Sequence, residues 1–168
     1  MSWKKKALLI IDLQVGLESA EKKLFQLERV LNEVNDRIAV YRKENRPIIF
    51  IQHEDEELMP GSHAWHLFPE LHAEEKDYYI SKTHANSFFH TNLTSLLETL
   101  GVTQLEICGA QTEYCVDTTI RMAHGLGYNC FMKKGLTTTL NNSRLTASEI
   151  IQHHEAIWNL RFLTFFSE

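Results

Sequence analysis

The chain has 168 residues, of which 43% are hydrophobic, 10% aromatic and 23% charged, with a formal net charge of −5. That is the size of one domain with apolar material enough for a core, and its mildly acidic balance argues against the clustered basic face that nucleic-acid binding needs. Three cysteines, Cys108, Cys115 and Cys130, do not pair into a secreted disulfide scaffold, and the apolar run at Ala7 to Ile11 is too short for a signal segment or a membrane span. These features predict a single cytoplasmic domain over residues 1–168, with no nucleic-acid or membrane partner.

Ala7-Leu8-Leu9-Ile10-Ile11 is a continuous apolar run and predicts a strand covered on both faces. From Glu21 to Glu44, Leu24, Leu27, Leu31, Val34, Ile38 and Tyr41 recur at spacings of three and four, which predicts an amphipathic helix. Arg46-Pro47 breaks it, and Ile48 to Ile51 reads as a second buried strand. His53 to Asp77 reads as a long loop, with Pro60-Gly61 and Pro69 along it; connections of that length in a compact domain are usually functional or partly structured. Tyr78 to Ser81 predicts a short strand, and Thr91 to Leu100 a helix ended by Gly101 in the left-handed cap position.

Gln104 to Cys108 reads as a strand ended by Gly109. A helix is predicted from near Glu113 to His124, closed by Gly125 and Gly127, and Tyr128 to Met132 as the next strand. Ser143 to Asn159 carries a helical pattern through Leu145, Ile150, Ile151 and Ile157, and Arg161 to Phe165 is the last predicted strand. The alternation of strands and helices predicts a three-layer α/β/α domain, a doubly wound parallel sheet with right-handed crossovers.

Ligands of such sheets bind beyond the carboxyl ends of the strands. The first strand delivers Asp12 there, with Gln14 close behind. The second delivers Gln52, His53, Glu54 and Asp55, and the third Ser81 and Lys82. The fourth delivers Gly109, Ala110 and Gln111, then Cys115 at the predicted helix start, where unpaired N–H groups and the helix dipole favour a thiolate. Cys108 and Cys130 lie within apolar strands and read as core. An aspartate beside a thiol can take its proton, and an ammonium beside both keeps the acid ionised.

The run Ala7-Leu8-Leu9-Ile10-Ile11-Asp12-Leu13-Gln14, Lys82 followed by Ser87-Phe88, and Cys108-Gly109-Ala110-Gln111-Thr112-Glu113-Tyr114-Cys115-Val116 carry a resemblance. On them the chain resembles the isochorismatase-like cysteine hydrolases, which include nicotinamidases and N-carbamoyl-amide hydrolases, over essentially its whole length. The resemblance implies a six-stranded parallel sheet, an Asp12–Lys82–Cys115 triad, and a cis peptide without proline just before Gln111. It implies an oxyanion hole built from the N–H groups of Gln111 and Cys115, and hydrolysis of a small amide or related C–N bond through an acyl-enzyme on Cys115. Two alternatives are acid-catalysed cleavage of a vinyl ether with Asp12 as the proton donor, and a binding module on the same fold.

Gln14, Leu17, His53, Trp65, Phe88 and Tyr114 are the candidate pocket residues. Nicotinamidases carry an Asp-x-His metal pair after the second strand, which Gln52-His53-Glu54 does not reproduce. His63 and His66 are spaced for one helical turn, a weak ligand pattern, so neither metal nor cofactor is expected. The segment from Lys133 to Asn142 departs from the acidic residues and histidine of similar proteins and is expected to border the pocket or a subunit contact. The apolar end, Phe162 to Phe166, suggests a homo-oligomer, a dimer or tetramer, whose other partner is a small-molecule substrate.

Overall fold

The computed structural model describes residues 5–167; residues 1–4 and 168 of the expected domain lie outside the described part. Runs of apolar residues without polar alternation become the inner strands of its sheet. β1 (Lys5–Ile11) is central, flanked by β2 (Ile48–His53) and β4 (Val102–Ala110), and Ala7 to Ile11 are fully buried. Further out lie β3 (Tyr78–Lys82), β5 (Asn129–Lys133) and β7 (Thr164–Phe166), in the order β3-β2-β1-β4-β5-β7. A two-residue β6 (Thr137–Thr138) also pairs with β4, and every pairing is parallel. The six expected strands are therefore joined by a seventh, which a run of three threonines too short for a hydrophobic pattern does not announce.

Alternate side chains of each strand pack on opposite layers. Leu8, Ile10, Phe50 and Cys108 meet Val30, Leu31, Val34, Ile38 and Tyr41 of α1 (Leu27–Lys43). Leu9, Ile11, Ile49, Ile51 and Ile107 share the other core with Leu93 and Leu97 of α2 (Leu93–Leu100). That core also holds Ile120 and Ala123 of α3 (Asp117–Gly125) and Trp158 of α4 (Ala147–Trp158). Such two-sided cover is what a parallel sheet requires. Cys108 and Cys130 lie in these cores as expected, at 0% and 4% exposure.

Several boundaries differ from the sequence pattern, for local reasons. α1 starts at Leu27 rather than Glu21, because the preceding backbone is tied sideways. The Leu24 N–H donates to the Glu18 carboxylate at 3.0 Å, Phe25 N–H donates to the Thr139 carbonyl at 3.0 Å, and Gln26 is left-handed at φ 50°. α4 starts at Ala147 because Thr146 and Glu149 form a reciprocal capping box, which leaves Leu145 exposed outside it. Turns occupy the residues just before β7, so that strand begins at Thr164 rather than Arg161. Its Phe166 ring lies 5.0 Å from the Arg37 guanidinium, which gives the apolar chain end a place within the domain.

Two features fix the sheet at its functional edge. Gly109 sits at φ 124°, and a β-carbon there would lie 2.1 Å from the Ile11 carbonyl oxygen, so only glycine lets β4 pass β1 this closely. The register pairs Ile11 with both Ile51 and Gly109, and His53 with Lys82. The ends of four strands are thereby level.

Candidate active site

Asp12 is the first residue beyond β1. It takes the left-handed conformation (φ 49°) while its N–H donates to the Ile51 carbonyl at 3.0 Å, and only 2% of it is exposed. Lys82 ends β3, on the far side of β2, and is also 2% exposed. Its long side chain reaches past the end of β2, and its Nζ donates to Asp12 Oδ2 at 2.7 Å, to His53 Nδ1 at 3.1 Å and to Cys115 Sγ at 3.3 Å. Three donors of one ammonium meet three acceptors from three other segments of chain, which satisfies a charge that would otherwise be costly to bury.

The other ring nitrogen of His53, Nε2, faces Asp55 Oδ2 at 3.3 Å. Asp12 Oδ1 is buried and makes no hydrogen bond within the described residues.

Cys115 reaches this cluster from a segment that is not the predicted α-helix start. After β4 the chain makes one wide π-turn, Thr112–Val116, in which the Val116 N–H donates to the Gln111 carbonyl at 3.2 Å; regular α-helix begins only at Asp117. Such wide turns are frequent at functional sites. The Ala110–Gln111 peptide leading into the turn is cis. The thiol, which the sequence places at a helix start favouring ionisation, is instead held protonated. Burial pushes it up to about 12, the Asp12 carboxylate pushes in the same direction, and Lys82 opposes both. Asp12 is likewise raised from the usual carboxylate range by burial, with Lys82 pulling it back. A buried acid made more basic in this way is a better match for a thiol proton.

A cleft of about 200 Å³ opens over the sulfur, lined by Asp12, His53, Gln111, Cys115 and Leu17, and also by Gly16, Asp55, Glu57 and Leu58. Leu17 and His53 are thus where a pocket residue belongs. Gly16, Glu57 and Leu58 were missed; the only sequence sign of Leu58 is an apolar residue in a polar loop. Four other candidates sit elsewhere. Gln14 is fully buried and works as a clamp: its Nε2 donates to the carbonyls of His53 (3.0 Å) and Trp65 (2.8 Å), and its Oε1 accepts the His53 N–H at 2.8 Å. Trp65 contributes its carbonyl to that clamp and does not line the cleft. Phe88 is in the core against the Tyr128 ring, centroids 5.9 Å apart. Tyr114 is exposed and borders a neighbouring recess of about 380 Å³, which shares Gln111 with the cleft and includes Leu140, Asn141 and Asn142. The divergent 133–142 segment therefore borders the recess beside the cleft.

A larger cavity of about 630 Å³ lies at the opposite edge of the sheet, beside Lys5, Pro47 and Tyr78. It holds none of the groups gathered around the sulfur, so size does not choose the site here. Asp12, His53 and Cys115 offer ligand atoms within 4.8 Å of one another, and among the described residues they are the only such group. The Lys82 ammonium touches all three and supplies the positive charge a metal would bring, so this donor set does not fit a metal ion. His63 and His66 are both exposed.

The chain and its fold are similar to those of known proteins. The Isochorismatase domain model matches residues 6–158. A solved structure of an isochorismatase family protein is 59% identical and superposes with a TM-score of 0.95, over 96% of this chain and 98% of that one. YddQ of Bacillus subtilis, an uncharacterised isochorismatase family protein, is 30% identical over 80% of this chain and 79% of its own. Streptothricin hydrolase of Streptomyces noursei is 30% identical over 73% of this chain, and the match spans only 45% of that relative. With the domain matched almost from end to end and the parallel sheet in place, the chain belongs to the isochorismatase family of hydrolases.

Proposed function

We propose that the protein hydrolyses a small amide, or a related C–N bond, through a thioester on Cys115. The observation that carries this reading is the single ammonium of Lys82, in hydrogen-bonding contact with a carboxylate and a thiol at the floor of one cleft. Cys115 Sγ attacks the substrate carbonyl as its proton passes to Asp12, so no free thiolate has to form first. The N–H groups of Gln111 and Cys115 stabilise the resulting oxyanion. Asp12 then gives the proton to the leaving nitrogen as the C–N bond breaks and the thioester forms. Water attacks the thioester with Asp12 again as base, and the sulfur leaves with a proton, which restores the thiol and releases the acid.

Lys82 favours the ionised form of Asp12 between the proton transfers and keeps it aimed at the sulfur. His53, with Nδ1 as acceptor, fixes Lys82 from the other side and is a positioning residue. The similarity to streptothricin hydrolase supports a hydrolytic role. Cys115→Ala tests the reading. Wild-type protein mixed with a panel of small amides is expected to gain the mass of an acyl group on the Cys115 peptide and to release ammonia or amine. The alanine variant is expected to fold and do neither. Hydrolysis by the alanine variant at the wild-type rate would overturn the assignment.

A further inference from the structure

The floor of the cleft is electrically balanced, and its wall is not. Asp12 faces Lys82 at 2.7 Å, so that pair adds little net charge. The other charged lining residues are Asp55 and Glu57, and among the described residues no arginine or further lysine lines the cleft. Asp55 Oδ1 accepts the N–H groups of Glu57 and Leu58, both at 2.8 Å. Burial acts to raise Asp55, but those two donors and His53 outweigh it and hold the carboxyl below its usual range.

Asp55 Oδ2 also faces His53 Nε2 at 3.3 Å, which partners one of the two wall carboxylates. Glu57 has no side-chain hydrogen bond or ion pair among the described residues, and the buried Asp12 Oδ1 in the same cleft is also unpartnered. The adjoining recess sets Lys22 and Lys23 against Glu21 and Glu113, and so offers no opposite bias.

From this imbalance we infer that the site selects amides whose non-reacting end carries a cation, such as a protonated amine or guanidinium, and rejects those bearing a carboxylate. The cation would sit against Asp55 and Glu57 while the carbonyl meets Cys115. This rests on the proposed role of Cys115 as nucleophile. Asp55, partnered by His53, and Glu57, without a partner among the described residues, are both exposed and set negative charge at the mouth of the cleft, which attracts an entering cation and repels an anion.

Methanethiosulfonate reagents test the charge preference without a substrate. The Cys115 sulfur displaces methanesulfinate and forms a mixed disulfide with either a trimethylammonium-ethyl or a sulfonatoethyl group, which mass mapping of the Cys115 peptide reads. Rates are divided by those of the same reagents with 2-mercaptoethanol. The cationic reagent is expected to be favoured by about tenfold or more after that correction, and the preference to shrink in about 0.5 M salt as screening sets in. Asp55→Asn/Glu57→Gln is expected to bring the corrected ratio to within about twofold of one. Glu57→Gln alone, which removes no hydrogen bond, is expected to give an intermediate value.

A corrected wild-type ratio of one or below, or a ratio unchanged in these variants, would overturn the inference. Matched cationic, neutral and anionic amides run in parallel separate the two ideas. If none acylates Cys115 the hydrolytic reading fails, while the reagent ratio still decides the charge selection.

Discussion

Asp12→Asn separates two things that a nucleophilic thiol needs, ionisation and somewhere for its proton to go. In the wild type the Asp12 carboxylate lies within 4.8 Å of the sulfur and helps to hold it protonated. Two unit charges at that separation interact by about 3.5 kcal/mol at an effective dielectric constant of about 20. Cys115 is only half-buried, so about 2–3 kcal/mol is the better figure, or roughly 30–150-fold in the thiolate population at a given pH. Asparagine removes that negative charge and leaves the sulfur beside Lys82.

Iodoacetamide alkylation of Cys115 at pH 8 is therefore expected to speed up by roughly 30–100-fold in the variant. Amide hydrolysis is expected to fall by about 10²–10⁴-fold, because the proton acceptor is gone. The sign also shows in the pH profile. Wild-type alkylation keeps rising with pH toward about 12, whereas the variant levels off at lower pH. Equal or slower alkylation in a variant with unchanged circular dichroism would refute this account of the thiol's protonation.

Two structural predictions follow from contacts around the site. Gln14→Ala leaves the His53 N–H and the His53 and Trp65 carbonyls short of a partner. It is expected to cost about 2–3 kcal/mol, read as a lower urea midpoint with an unchanged slope, and to lower kcat through the displaced His53–Lys82 contact. Gly109→Ala forces a β-carbon to within 2.1 Å of the Ile11 carbonyl at a positive φ. A loss of at least about 3 kcal/mol is expected, lowering Tm by roughly 6–12 °C. An unchanged Tm would mean that β1 and β4 are not held in this register.

Much of the site could be read without coordinates because its parts lie where strands end. Asp12, Lys82 and Cys115 each follow an apolar run, and in a parallel sheet such runs end on a common edge. His53 was legible for the same reason, as the last residue of β2. Gln14 and Phe88 were placed in the pocket because of their neighbours in sequence, and the fold turned both inward. Gln14 is needed where two loop carbonyls and an N–H lack partners. Phe88 is needed to fill space against Tyr128. Glu57 and Leu58 went unnoticed because the loop after β2 has no periodicity, and only its packing over Asp12 brings them to the sulfur.

The sequence by itself determined the layered α/β architecture and the edge of the sheet where chemistry belongs, since hydrophobic period, glycine positions and strand ends are local properties of the chain. The ionisation state of the thiol was not among them. A helix start favours the thiolate, whereas the wide turn at Thr112–Val116, burial and the Asp12 carboxylate hold the proton on sulfur. Only the tertiary structure decided that balance, and with it the placing of Asp55 and Glu57 on the wall of the cleft, because electrostatic energies depend on distance and solvent exposure between residues far apart in sequence.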